Sequence, residues 1–212
     1  MKLIEIRDGN RIFYGGNQMW FEKKCNQDVG CGVIACTNTL LHMDSAMRSI
    51  LHISKSNYMS LAEKMARKYF WVIPFFGING WSLSIGMNRA MKSKGYRGCA
   101  RWGCLPQNVD KNIDRMLSQG LPVTMSIGAS FPYIMSGAKL TFYTKNGNKY
   151  VPSCETNAHY VSVTENTDDW YKISSWGRCY YINKKEYREF ASKKSNWLFT
   201  NILIIRRNAY NI

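Results

Sequence analysis

The order of secondary-structure signals predicts an α+β fold, with helices first and an antiparallel sheet after them. Three observations carry this expectation. Between residues 31 and 118 the chain shows helical apolar spacing, punctuated by capping residues and glycines. From residue 121 onward, β-branched and aromatic runs are separated by short polar loops. The junction, Met116-Leu117-Ser118-Gln119-Gly120-Leu121-Pro122-Val123-Thr124-Met125-Ser126, reads as a helix end, a turn and a core strand. With 212 residues, 45% of them hydrophobic, the chain can bury a sizeable core. It reads as one domain over 1–212, with a helical half at about 17–120 and a β-rich half at about 121–212.

Residues 2–14 alternate around Asp8-Gly9-Asn10, a hairpin signature. A loop, Tyr14-Gly15-Gly16-Asn17-Gln18-Met19-Trp20-Phe21, then approaches the first helix, expected from Cys31 to about Ile53. A second helix is expected over 56–70, capped at Ser60 through Ser60-Leu61-Ala62-Glu63 or starting near Ser56. A third covers 81–94 and stops at Gly95; a fourth covers 109–118 and stops before Gly120. Strands follow at 121–128, 139–144, 148–152, 159–165, 170–175, 179–183 and 197–206, with a short helix over 186–192. The methionines at helical spacing read as core filler, and His42 and His52 as ordinary surface or packing histidines.

One thiol stands apart from the other cysteines. Gly30-Cys31-Gly32 runs into Val33-Ile34-Ala35-Cys36-Thr37-Asn38-Thr39-Leu40-Leu41, a helix with apolar and small residues on most sides. A cysteine at a helix start sits in the positive end of the macrodipole, which lowers its pKa and favours the nucleophilic thiolate. A small buried core residue is the bland alternative. A partner base is available in His159, within Asn157-Ala158-His159-Tyr160-Val161-Ser162-Val163-Thr164. That run and Trp170-Tyr171-Lys172-Ile173-Ser174-Ser175-Trp176-Gly177 flank a polar loop, so they form a hairpin. If Thr164 lies opposite Asp169, His159 lies opposite Ser174, and Ser175 points to the other face.

This set of motifs resembles the papain-like cysteine peptidase superfamily. It is most similar to bacterial peptidases related to the bacteriocin-processing, double-glycine-leader enzymes, over 18–51 and 109–205. The resemblance implies a nucleophile helix packed on a C-terminal antiparallel sheet, with the active site in the cleft between the halves. It implies Cys31 as nucleophile, His159 as base and Ser174 as orienter, where the family carries Asn or Asp. An oxyanion hole is expected from Gln27 or Asn26, which lie closer to the thiol than the family's glutamine does, while Asp28 is an alternative helix cap. Trp176 and Trp20 are the candidate substrate-binding aromatics, although core packing is the usual fate of tryptophan.

Composition narrows the alternatives. Twenty-nine basic residues against fourteen acidic leave a net charge of +15, a field attractive to polyanions. The densest basic segments are 89–101 and 184–194, and Lys92-Ser93-Lys94-Gly95-Tyr96-Arg97 interleaves an aromatic with cations. Seven cysteines lack any Cys-x-x-Cys spacing, so free thiols are preferred over a zinc framework. Cys99, Cys104, Cys154 and His159 are the only spacing that suggests a metal, and no metal or cofactor is expected. The longest apolar run, 69–78, is too short to span a bilayer, and no signal peptide is read, so a cytoplasmic protein is expected.

The leading expectation is therefore a cysteine peptidase cleaving peptide or isopeptide bonds through a Cys-His dyad with a weak third residue. The alternatives are a catalytically degenerate binding protein on the same fold and a basic nucleic-acid-binding module.

Overall fold

The computed structural model describes residues 1–48, 52–129 and 137–207. Strands β1 (Glu5–Asp8) and β2 (Arg11–Tyr14) form the expected hairpin, with Gly9 at a positive φ of 57° in the two-residue turn. A third short strand, β3 (His52–Ser54), adds to β1 in parallel, where a helix end had been expected. Helix α1 (Lys24–Val29) stops at Gly30, and α2 (Cys31–Arg48) starts at the next residue. The interruption makes Cys31 the first residue of a new helix. The 49–51 part of the helix expected to run to about Ile53 lies outside the described residues.

Helix α3 (Lys55–Lys68) is capped by neither Ser60 nor Ser56. Ser54 Oγ accepts from the Asn57 backbone N–H at 3.2 Å. Asn79 caps α4 (Gly80–Ser93) in the same way, accepting from Ser82 N–H at 2.8 Å. Helix α5 (Val109–Ser118) matches its expected bounds. Between α4 and α5 lies an unexpected strand, β4 (Gly98–Trp102).

The sheet carries strands β5 (Val123–Gly128), β6 (Leu140–Asn146), β7 (Lys149–Thr156), β8 (Ala158–Asn166), β9 (Trp170–Ser175) and β10 (Arg178–Asn183). Their spatial order is β5-β8-β9-β10-β6-β7, and every pairing is antiparallel. The fold is thus α+β. Helix α6 (Lys184–Lys193) follows β10, and β11 (Leu203–Arg207) pairs with β4 in a separate ribbon.

Helix α2 lies across β5 and β8, burying Val33, Ile34, Leu40 and Leu41 against a core that includes Val123, Met125, Val161 and Val163. Its buried hydroxyls are satisfied: Thr37 donates to Val33 O at 2.8 Å, and Thr39 to Ala35 O at 3.2 Å and to Pro122 O, just before β5, at 3.0 Å. Asn38, also buried, donates to Ser162 Oγ at 3.0 Å, and its Oδ1 accepts from Tyr58 Oη at 2.8 Å and Gly16 N–H at 3.2 Å. One side chain thereby ties α2 to β8, α3 and the Gly15-Gly16 loop. Far from this helix, Asp110 of α5 accepts from Tyr171 Oη at 2.7 Å and pairs with Lys184 at 3.3 Å and with Arg188, joining α5 to β9 and α6.

Candidate active site

Cys31 and His159 line the same cavity, at the meeting point of the α2 start, β8 and the β9–β10 turn. This cavity is about 10 Å³, room for one water, and it adjoins a cleft of about 350 Å³ that both residues also line. The close approach of α2 to its surroundings depends on Gly32. A Cβ there would lie 2.8 Å from Ile78 Cγ2 and 3.2 Å from Tyr160 Cδ2.

The His159 ring is held on two sides. Its Nε2 is hydrogen-bonded to Ser175 Oγ at 2.7 Å. Its face is stacked on Trp176, with centroids 4.4 Å apart and planes 18° from parallel. Trp176 holds a φ of 49°, a costly conformation for a bulky residue. The next residue locks it: Gly177 N–H donates to Gly16 O at 3.0 Å, and Tyr14 N–H donates to Gly177 O at 2.9 Å. Among the described residues Nδ1 makes no hydrogen bond, so it is the nitrogen left for chemistry.

The expected pairing of His159 with Ser174 is not formed. Strand β8 pairs Asn166 with Tyr171 and Glu165 with Lys172, then slips by one residue, so that Val163 meets Ile173 and Ser162 meets Ser174. The bulge at Thr164 inverts the parity of the inner half of the hairpin. Ser175 then shares a face with His159, as a diagonal neighbour across the strands. Ser174 instead donates to Tyr14 O at 2.6 Å, with its Oγ packed against Gly15. Asp168 and Asp169 lie in the turn, as expected.

Neither expected oxyanion side chain lines the cavity. Gln27 Nε2 donates to Phe21 O at 2.7 Å, and Asn26 faces a separate groove of about 970 Å³ beside α3. Trp20 lines that same groove rather than the Cys31 cavity, and packs edge-on against Phe13 and Tyr58. The glutamine beside Cys31 is Gln18, which sequence spacing did not single out. Its Nε2 donates to Gln27 O at 2.7 Å and Asp28 O at 3.1 Å, closing the last turn of α1, and its Oε1 is buried without a hydrogen bond among the described residues. The one available signal was a polar residue directly after Gly15-Gly16-Asn17, in the loop leading to the nucleophile helix.

Burial sets the protonation states. It pushes the Cys31 thiol pKa up, against backbone hydrogen bonds from Tyr160, Gly32 and Cys31 itself that pull it down. The expected lowering by the helix terminus is therefore outweighed by desolvation. Burial also pushes His159 down to about 3. At neutral pH the site holds a thiol and a neutral imidazole. With Nδ1 acting as base, the neutral tautomer carries its proton on Nε2 and donates it to Ser175 Oγ.

No protein-family model matches the chain, and a search of curated proteins gives no match. Among the described residues no group of three or more His, Cys, Asp and Glu side chains is placed to hold a metal, and no helix is long and apolar enough to cross a membrane.

Proposed function

We propose that this chain is a papain-like cysteine peptidase, a thiol-dependent hydrolase of peptide or isopeptide bonds. One observation carries the reading: Cys31 and His159 line one cavity, with the His159 ring held by Ser175 Oγ and Trp176 and its Nδ1 without a hydrogen bond among the described residues. A nucleophile, a base and an orienter are the minimum that thiol catalysis needs. The antiparallel sheet under the α2 start supports the papain-like assignment.

In this reading His159 Nδ1 takes the Cys31 proton as the sulfur attacks the carbonyl carbon. The carbonyl π pair becomes an oxyanion, held by the backbone N–H groups at the start of α2, which have no carbonyl partner inside the helix. The imidazolium then returns the proton to the leaving amine, and the C–N bond breaks to leave a thioester. Water, deprotonated by the same nitrogen, releases the acid and restores the thiol. Ser175 accepts from Nε2–H throughout, but as a neutral group it stabilises the imidazolium less than a carboxylate would. The 350 Å³ cleft carries Phe75, Phe76, Ile78 and Phe199, which favours an apolar substrate side chain beside the scissile bond.

A peptidyl electrophile with an apolar side chain tests the reading. Intact-mass and peptide mapping are expected to place one adduct on Cys31, out of seven cysteines. His159→Ala is expected to slow the adduct by on the order of a hundredfold. Equal labelling in wild type and His159→Ala would overturn the peptidase reading. The neutral thiol and imidazole favour a second reading, a degenerate binding protein, and that result would leave it standing.

A further inference from the structure

We infer that the segment between α3 and α4 is a docking finger for an anionic lipid surface, set beside the mouth of the Cys31 cleft. The finger is a tight turn. Ile73 and Gly77 exchange backbone hydrogen bonds at 2.8 Å, and Phe76 N–H donates to Ile73 O at 3.2 Å. Pro74 fixes the second turn position, and Phe75 occupies the third with a φ of 68°, where glycine or asparagine is usual. The strained backbone holds an aromatic ring at the tip. Phe75 is 96% exposed, Phe76 87% and Trp71 81%. An exposed apolar group of this size rarely stands on a protein surface without a partner.

Charge decides which partner. The helices on either side carry exposed Lys64 and Arg67 on α3 and exposed Arg89 and Lys92 on α4. Among the described residues none of these four forms an ion pair. The exposed face of α4 begins with Trp81 and Ile85 beside the finger and ends with the two cations. Phe rings at the tip, Trp71 on the stem before it and unpaired Lys and Arg on the flanking helices is an arrangement that inserts rings at the headgroup level and leaves cations over anionic lipid. A convex tip suits a deformable bilayer, whereas a peptide partner would need a groove to receive it. The net charge of +15 adds long-range attraction of the same sign.

Because Phe75 and Phe76 also line the Cys31 cleft, docking would bring the cleft mouth to the lipid surface. The inference stands apart from the peptidase reading, since neither thiol nor imidazole takes part in it.

Flotation of the full chain with vesicles tests it, using phosphatidylcholine alone and phosphatidylcholine with phosphatidylglycerol, at low and high salt. The chain is expected to float with the anionic vesicles, with binding weakened by salt. Phe75→Asn with Phe76→Ser is expected to weaken binding by roughly tenfold or more while leaving the melting curve in place. Lys64→Glu with Arg67→Glu is expected to weaken it as well. Brominated lipid is expected to quench the wild type more than Trp71→Phe. Failure of the wild type to float with anionic vesicles would overturn the inference. Equal binding by the wild type and the Phe75→Asn, Phe76→Ser variant would also overturn it, since charge alone would then be sufficient.

Discussion

The two walls of the Cys31 cleft are built on opposite principles. One wall is α2, β8 and β9, where His159, Ser175, Asn38 and Ser162 are all buried and hydrogen-bonded to defined partners. The other is the 75–78 part of the finger, whose two phenyl rings stand in solvent. The first wall is part of the core, so its side chains have one arrangement, as acid–base chemistry requires. In the second, Ile78 anchors the segment in the core, while the exposed Phe75 and Phe76 rings are free to serve recognition. Changes in the first wall should therefore cost stability or chemistry, and changes at the exposed rings of the second should cost little stability.

The largest effect tests the chemistry of the buried wall. Cys31→Ala is expected to abolish peptide hydrolysis, and His159→Ala to lower kcat/KM by at least on the order of a thousandfold, because nucleophile and base act as a unit. Hydrolysis that survives Cys31→Ala would place the chemistry elsewhere.

Acid comes next, acting on the same wall and on its neighbour. Burial lowers His159 to about 3 and His42, whose Nε2 accepts from Ile4 N–H at 3.1 Å, to about 4. The unfolded chain binds these protons near pH 6.5 and the folded chain does not, so stability falls as pH drops below about 6.5. At pH 5 each histidine costs about 2 kcal/mol. Urea unfolding between pH 7 and pH 5 is expected to show the combined loss, and His42→Gln to remove about half of it. A flat profile would mean that neither ring is buried neutral.

Backbone approach is the third measure. A Cβ on Gly16 would lie 2.1 Å from Tyr58 Oη, the hydroxyl that donates to Asn38. Gly16→Ala is expected to cost about 2–3 kcal/mol in denaturant unfolding, because the ring has no free space to move into.

Much of this wall was legible in the sequence, and the reasons for what was missed are local. The α2 start at Cys31 and the bounds of α5 follow from periodicity and glycine punctuation, which are one-dimensional signals. The choice between Ser174 and Ser175 was not legible. It turns on a bulge at Thr164, and nothing in a β-rich run marks where a ladder will slip. Strand β4 was missed because Gly98, Cys99 and Arg101 give it no apolar run; it exists by pairing with β11, far along the chain. Gln18 was missed because its place beside Cys31 comes from the Gly15-Gly16 loop being held by Asn38 and Gly177, contacts that no spacing rule encodes.

The adjacent serines separate chemistry from support within the buried wall. Ser175→Ala removes the acceptor from Nε2–H and is expected to lower kcat about tenfold, with little change in KM. Ser174→Ala removes the bond to Tyr14 O and is expected to cost about 1 kcal/mol of stability while sparing kcat. The reverse pattern would return the orienting role to Ser174. Ser175→Asn lengthens the acceptor and is expected to restore activity if the pocket beside Trp176 admits it.

The smallest effect tests the exposed wall, and its sign is opposite to that at Gly16. Phe75 is held at a φ of 68° and is almost fully exposed, so its side chain buries little in the folded chain. Replacing it by glycine relieves a left-handed strain of about 1–2 kcal/mol. The same change loosens the unfolded chain, which offsets about 0.5–1 kcal/mol of that gain. Phe75→Gly is therefore expected to raise stability by about 0.5 kcal/mol in denaturant unfolding, with no change in the slope. A loss of more than about 1 kcal/mol would show that the ring packs against the protein after all, and the contrast between the two walls would fail there. A small gain would mean that the strain holding Phe75 outward serves something other than folding, as an exposed recognition element requires.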